Sequence, residues 1–512
     1  MSGYLRRLAT TGAAYTAASI VSKLIAVALL PLYTRFLTTG DYGAAEVMFA
    51  AVVSASIVVR LGLIEALLRF YYKDGEDPAR VVSSSFAALF WFATIAALIA
   101  LPFAGPISEA LLNKSAPDLA RISIAGLWVL TLNEYLLTLF RLEERARAFF
   151  ITTIINVLAA IALTVILVVG MEEGARGLLI GSYASGAAVV LALIFVHRRR
   201  LSLRFERPLL RRLMRFGLPT MPAELSLYGL NFVDRIIIVH AAGLPEAGLY
   251  SIAVKFAQGV NVLVRGFQLA WPPLAYSIRN DDEARRVYAT VVTLFVAGCA
   301  FVVTGMWLLS RWLVRALAAP EFFGSYKAIG LLATAATLYA LYMVLVVILG
   351  RTGRTEFNFP ATAAALVANI ALNLALVPPL GIVGAGIALV ASYIVVLALM
   401  YVFTQRLFPV PYEWGRLLRV LTVSAGLVGL GELLLPTEGF VGLVLRLLFA
   451  LAYPFALLAT GFFTRAERRW LARLRHPSEV LAGLQALRPA DGVSAAIPEV
   501  YEAEQMDEES HL

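Results

Sequence analysis

The sequence predicts an all-α polytopic membrane protein with about fourteen spanning helices: two six-helix lobes and two extra C-terminal helices. Three observations predict it. Of 512 residues, 60% are hydrophobic and only 15% charged, with a mean hydropathy of +0.80, whereas a soluble domain averages about 25% charged residues. The apolar residues form runs long enough to cross a bilayer, such as FAALFWFATIAALIALPF (86–103). The longest charged interruption, HRRRLSLRFERPLLRRLMR (197–215), divides the first twelve runs into two sets of six.

The elements follow in order. The run at 12–36 is too long for a signal-peptide core and shows no small-residue cleavage site, so it is read as a retained first span. Spans two to six are placed at 44–68, 81–104, 119–140, 148–170 and 176–197. Spans seven to twelve are placed at 216–240, 248–272, 287–310, 326–350, 357–378 and 383–404, and the last pair at 416–435 and 440–463. An even number returns both termini to one side. With the N-terminus inside, the inner segments hold 30 Lys and Arg residues and the outer segments seven. That asymmetry matches the positive-inside rule and supports the count, because one missed span would reverse every later segment. The expected division is a first lobe (1–197), a basic cytoplasmic inter-lobe loop (198–215), a second lobe (216–404), spans thirteen and fourteen (405–463) and a cytoplasmic tail (464–512). The tail opens basic and amphipathic (RAERRWLARLRH), suited to an anionic leaflet, and ends acidic and disordered in composition.

Composition also excludes several functions. Cys299 is the only cysteine, and four scattered histidines form no metal-ligand cluster. The net charge of +9 is explained by the inner loops, not by a nucleic-acid partner. No phosphate-binding G-x-x-x-x-G-K-[ST] loop is present, so no built-in ATPase and no organic cofactor is expected.

The two halves show self-similarity. At an offset of 205 residues Gly43 matches Gly248, Arg60 matches Arg265, Tyr71 matches Tyr276, Asp77 matches Asp282 and Arg80 matches Arg285. Both halves start from the same side, so the repeat is parallel, with its axis along the membrane normal. It predicts Arg60 and Arg265 facing each other between the lobes.

Polar stripes mark the same interface. On a continuous helix Gln258, Asn261, Arg265 and Gln268 fall within about 80° of one another, and Glu224, Tyr228, Asn231 and Arg235 within about 60°. Thr16, Ser19, Lys23 and Thr34 form a third stripe on span one. Such stripes face protein or a water-filled cavity. Glu65 lies about 140° from Arg60 on an ideal helix, which makes Arg69, at i+4, the expected partner of Glu65. An intramembrane cation is either a snorkelling or ion-paired structural group, or part of a site. The deep Arg60, Arg265 and Lys23, with Arg235 and Lys255 nearer the outer face, are the candidate cations of an anion-binding cavity, since a guanidinium fork suits phosphate or carboxylate. Pro219, Pro222, Pro272 and Pro273 suit helices that bend. The physical reading is an alternating-access carrier for an anionic substrate.

Residues 216–258 resemble the signature region of the Wzx-type polysaccharide or oligosaccharide flippases of the MOP exporter superfamily. The residues that carry the likeness are Phe216-Gly217-Leu218-Pro219 with Pro222, Asp234-Arg235 before Ile236–Ile238, and Gly248-Leu249-Tyr250-Ser251. The N-terminal TGAAYTAASIVSKLIAVALLPLYTRFLTTGDYG is similar to the family's opening, and the likeness runs to about residue 410. It implies a V-shaped pair of lobes around a cationic cavity, in the bacterial inner membrane, with both termini cytoplasmic. It also implies transport of undecaprenyl-diphosphate-linked oligosaccharide for surface polysaccharide synthesis, alongside membrane lipids and polymerase machinery. Arg60 and Arg265 would hold the diphosphate or an acidic sugar. Glu65, Glu134 and Glu224 are the candidate coupling carboxylates, with proton and sodium as alternative ions. The alternatives are a lipid II flippase, a multidrug exporter and a membrane glycosyltransferase or polymerase. The exporter calls for an acidic cavity; the enzyme calls for catalytic carboxylates in a large outer loop, whereas 105–118 and 311–325 are short and lack paired acids.

Overall fold

The computed structural model describes residues 27–464 and 467, apart from Asp74, and all regular structure among them is helical. The chain runs through α1 (Leu30–Phe36), α2 (Thr39–Arg60), α3 (Leu63–Phe70), α4 (Pro78–Ala100), α5 (Ala104–Leu112), α6 (Pro117–Leu142), α7 (Ala146–Val165) and α8 (Gly174–His197). There follow α9 (Arg207–Gly217), α10 (Met221–Ala242), α11 (Leu244–Ala257), α12 (Val260–Ser277), α13 (Asp281–Leu317) and α14 (Tyr326–Arg351). Residues 358–407 form α15 and α16, divided at Gly381, and α17 (Trp414–Leu434) and α18 (Gly439–Ala459) complete the chain.

Eleven described helices are long and apolar enough to cross a membrane. The other predicted spans are accounted for individually. Span eight is divided between α11 and α12 by a turn at Gln258 and Gly259. Spans eleven and twelve are joined through Gly381, whose φ of 55° and ψ of −135° break the helix after Pro378 and Pro379. The chain reverses there: a Cβ on Gly384 would lie 2.6 Å from the carbonyl carbon of Leu376, eight residues back, which a continuous helix would hold about 12 Å away. Span one lies outside the described residues except at its end, α1.

Several expected loops are helical. The segment 105–118 carries α5 to Leu112, where Asn113 turns left-handed, and 311–325 is helical to Leu317 and again from Pro320 to Ser325. Asn280 caps α13, its side chain accepting from the backbone N–H of Asp282 (2.9 Å) and Glu283 (3.0 Å), and three acids in the first turn suit the helix dipole. The inter-lobe segment is likewise not all loop. Its second part is α9, opened by Pro208 and burying Leu209 and Leu213, four residues apart, against α3 and α4. Arg80 grips Glu206 in two bonds and holds that carboxyl below its usual range; Arg212 grips Glu76 and Arg200 grips Glu143. The linker is therefore fastened to the first lobe.

Each lobe packs around its own helices: α6 against α2, α4 and α8 in the first, and α10, α14, α15 and α16 in the second. Large apolar side chains such as Leu98, Ile99, Leu158, Phe195, Val367 and Phe455 remain exposed on the outside, where lipid replaces water. The last two helices pack on α13, fastened by Arg446, which is fully buried. Its guanidinium pairs with Glu432 and donates to the carbonyls of Pro436 (3.0 Å), Leu308 and Leu435 (3.4 Å each). Of the predicted tail only Thr464 and Glu467 are described, and Glu467 accepts two bonds from Arg416, at 2.8 and 3.0 Å.

The lobes meet along α2. Near its start Gly43 faces Gly248 of α11, and a Cβ on Gly43 would lie 2.8 Å from the Gly248 nitrogen. These two residues are the pair related by the 205-residue offset in the sequence. At the other end of α2, Gly62 meets Gly217, where a Cβ on Gly62 would lie 2.7 Å from the Gly217 Cα. Backbone-to-backbone approach therefore closes the interface at both ends.

Candidate functional site

The α2 helix ends at Arg60 because Leu61 (φ 49°) and Gly62 (φ 70°) are both left-handed. Only glycine takes that conformation without steric cost, and only glycine fits against Gly217. The break releases the Arg60 side chain at a helix end between the lobes. One guanidinium nitrogen lies 2.9 Å from Glu134 on α6 and another 2.9 Å from Glu224 on α10. Ser56 also donates to Glu134, at 3.4 Å. Glu65 adds its negative charge to the field at both carboxylates, and Arg141 adds a positive one at Glu134. Two of the three candidate coupling carboxylates, Glu134 and Glu224, thus converge on one arginine, which is 11% exposed, with Glu65 in electrostatic reach of both.

Two sequence expectations change here. Because α2 breaks, the angular argument from Arg60 to Glu65 along one helix no longer holds. The expected Glu65–Arg69 pair is also absent among the described residues; the Arg69 guanidinium instead lies 4.5 Å from the ring centre of Phe216.

A second ion pair crosses between the lobes: Lys255 on α11 lies 2.8 Å from Glu46 on α2. Arg235 is buried on α10, donating to the Asn231 carbonyl and, at 3.4 Å, to Ser251, with Glu46 in its electrostatic reach. Arg60, Lys255 and Arg235 are thus engaged by protein groups. Arg265 differs. It is exposed on α12 and has no acidic partner among the described residues, and its charge acts on Tyr339.

Tyr339 belongs to the wall of a cavity of about 310 Å³. Glu224, Tyr228 and Asn231 line one side in the order predicted for their stripe, with Ile57 of α2 between the lobes; Gln258, Tyr339 and Tyr393 line the other. Asn231 donates to the Tyr393 hydroxyl at 3.3 Å. The stripe predicted on span eight is divided by the turn at Gln258–Gly259: Gln258 stays on α11 in the cavity wall, while Arg265 and the half-buried Gln268 follow on α12. Lys23 and the Asn261 side chain lie outside what the structure describes.

One buried cluster went unrecognised in the sequence. Asp234, fully buried, accepts hydrogen bonds from the Tyr250 hydroxyl and the Asn373 amide, both 2.7 Å. Asn369 is also fully buried, and its side chain adds to the hydrogen bonding at Asp234. The available signal was the spacing of Asn369 and Asn373, one turn apart in an otherwise apolar span, which marks an inward polar face.

Two lobes of membrane-spanning helices, tied by crossing ion pairs around a cavity lined by polar and apolar side chains, define a multi-pass membrane protein. The chain belongs to the polysaccharide biosynthesis protein family, whose profile matches residues 32–317, as the signature in 216–258 indicated. No curated relative matches. Among solved structures it is similar to the lipid II flippase MurJ in an inward closed conformation, with TM-score 0.67 and 14% identity over 88% of this chain and 98% of that one. It is also similar to an inward-facing multidrug resistance MATE family transporter of the MOP superfamily, with TM-score 0.64 and 16% identity over 75% and 95% of the chains. An outward-facing MATE transporter gives 0.58 and 18% over 78% and 94%. At these identities the likeness is one of fold.

Proposed function

We propose that the protein is a flippase that moves undecaprenyl-diphosphate-linked glycan units across the bacterial inner membrane by alternating access, for surface polysaccharide synthesis. In this reading the basic side and both termini are cytoplasmic, following the charge asymmetry, and a polysaccharide polymerase takes the product. The observation that carries it is Arg265: a cation with no acidic partner among the described residues, whose charge acts on Tyr339 in the wall of the cavity, in a chain of a polysaccharide biosynthesis family. A diphosphate offers the planar fork the acceptors it lacks.

Arg60 joins the site only when its carboxylates release it. The coupling ion supplies that release, and proton and sodium both suit it. A cation on Glu134 or Glu224 weakens the hold on Arg60, loosens the tie between lobes and frees a second fork for the diphosphate. Substrate binding and lobe opening are thereby linked through one side chain. Glu224→Gln, which imitates the neutralised carboxylate, is expected to abolish the dependence of flipping on an imposed pH or sodium gradient. Gradient-driven flipping that persists in this variant removes Glu224 from coupling.

The test of the main reading is flipping of a fluorescent undecaprenyl-diphosphate oligosaccharide in proteoliposomes, with lipid II as a second substrate. A hydrogen bond to a charged group contributes about 1.5–3 kcal/mol, so Arg265→Ala is expected to slow flipping about ten- to a hundredfold, with partial recovery in Arg265→Lys. Normal flipping by Arg265→Ala rejects the anion site, and faster flipping of lipid II reassigns the substrate.

A further inference from the structure

Away from the central cavity, at the basic end of the molecule, lies a second recess. Its wall is Arg69, Phe70 and Lys73 on one side and Arg212, Arg215 and Phe216 on the other, enclosing about 320 Å³. The sequence places these residues in two charged interruptions that topology alone does not join. The fold joins them because α9 lies on α3, and Gly62 and Gly217 interlock at its edge.

Four cations line it, and among the described residues Arg212 pairs with Glu76 and has Glu206, itself held by Arg80, in its electrostatic reach. Among the described residues the recess therefore carries a surplus of positive charge. The aromatic rings organise it. Phe70 and Phe216 meet edge to face at 6.2 Å, the Arg69 guanidinium lies 4.5 Å over Phe216, and the Lys73 ammonium 5.2 Å over Phe70. Stacking restricts each cation to one face of a ring and so lowers the ordering cost of binding. Arg215 has no acidic or aromatic partner among the described residues. The depth also matters: α9 is amphipathic, with Leu209 and Leu213 turned in and its arginines out, as a helix lies at a headgroup layer.

We propose that this recess binds the phosphate group of a membrane-anchored lipid in the leaflet on the basic side. Two sources share that chemistry, the diphosphate of a polyprenyl-linked glycan and the headgroup of an anionic phospholipid. A diphosphate offers the Arg69–Lys73 and Arg212–Arg215 sides more acceptor oxygens than a phosphodiester does, so it is the stronger candidate. Because the recess borders the Gly62–Gly217 interlock, an occupant bridges the same two segments that close the lobes at this end. The anion site stands without the proposed transport activity; only the polyprenyl identity of its ligand rests on that reading.

The experiment uses the full chain in phosphatidylcholine nanodiscs, with Arg265→Ala in the background to silence the central cavity. Binding of radiolabelled undecaprenyl diphosphate and of phosphatidylglycerol is measured separately, with inorganic pyrophosphate as competitor. Each surface cation contributes about 1 kcal/mol toward an anionic headgroup, so R69Q/R215Q is expected to weaken binding about thirtyfold, while R69K/R215K retains most of it and controls for folding. Loss restricted to undecaprenyl diphosphate supports the site with the substrate lipid as its occupant. Equal loss for phosphatidylglycerol supports it with bulk phospholipid instead. Unchanged binding of both lipids in R69Q/R215Q overturns the proposal. That failure is separable from failure of the flippase reading, which Arg265→Ala decides in the flipping assay with the recess intact.

Discussion

Gly248→Val is expected to shift the protein out of the closed arrangement described here and to change flipping more than any single charge substitution. The Gly248 Cα lies against the Thr39 backbone, so that an added Cβ would meet the Thr39 carbonyl carbon at 3.0 Å, with its oxygen closer still. Neither partner is a side chain that can swing aside, so α2 and α11 must separate. Separation here also pulls on the Glu46–Lys255 pair, since those residues lie on the same two helices. Opening at this end should expose the cavity to the side opposite the basic loops. Tyr228 lines that cavity, so Tyr228→Cys in a Cys299→Ser background reports its accessibility to an impermeant thiol reagent. Labelling from the non-basic side should rise severalfold in Gly248→Val, and flipping should fall. Gly43→Val, its repeat partner, should behave alike. If both variants label and flip like the parent, the contact is incidental packing and not the closure.

Arg446→Ala is expected to destabilise the protein by about 1–3 kcal/mol, the usual cost of leaving buried hydrogen-bonding groups unsatisfied. Arg446 is fully buried and satisfies Glu432 and three carbonyl groups at once. Its removal leaves the carbonyls of Leu308, Leu435 and Pro436 without their donor, whereas Glu432 is exposed and keeps Arg311 at 3.8 Å. A second variant separates volume from donors: Arg446→Met keeps much of the bulk and none of the donors, and should recover only part of the loss. Denaturation by SDS in bicelles reads both quantities. A loss well under 1 kcal/mol in Arg446→Ala would mean that the last two helices hold to α13 by apolar packing alone. Flipping should be affected far less than stability, since Arg446 does not line the central cavity.

How much of this was legible beforehand varies with the kind of interaction. Glu224, Tyr228 and Asn231 share one cavity wall, at the spacing the sequence shows, because α10 is unbroken from Met221 to Ala242. The stripe on span eight was only partly legible, since the turn at Gln258–Gly259 starts a new helix and a count of 100° per residue does not carry across it. The same failure misassigned Glu65. Arg60 was visible as an intramembrane cation, but its partners were not: Glu134 and Glu224 are 74 and 164 residues away in the sequence, and no local period points to them.

The sequence by itself determined the membrane-spanning character, the parallel two-lobe repeat and the family, because apolar run length, loop charge and the motif in 216–258 are local and additive along the chain. Tertiary structure alone decided which cations are engaged and which is left over. Lys255 meets Glu46 and Arg60 meets Glu134 and Glu224 only once α2 packs against α6, α10 and α11, while Arg265 has no acidic partner among the described residues. The reason is physical. Burying a charge is costly unless a partner comes within a few ångströms, and that partner is set by how two lobes cross, at contacts so close that only Gly43, Gly62, Gly217 and Gly248 permit them.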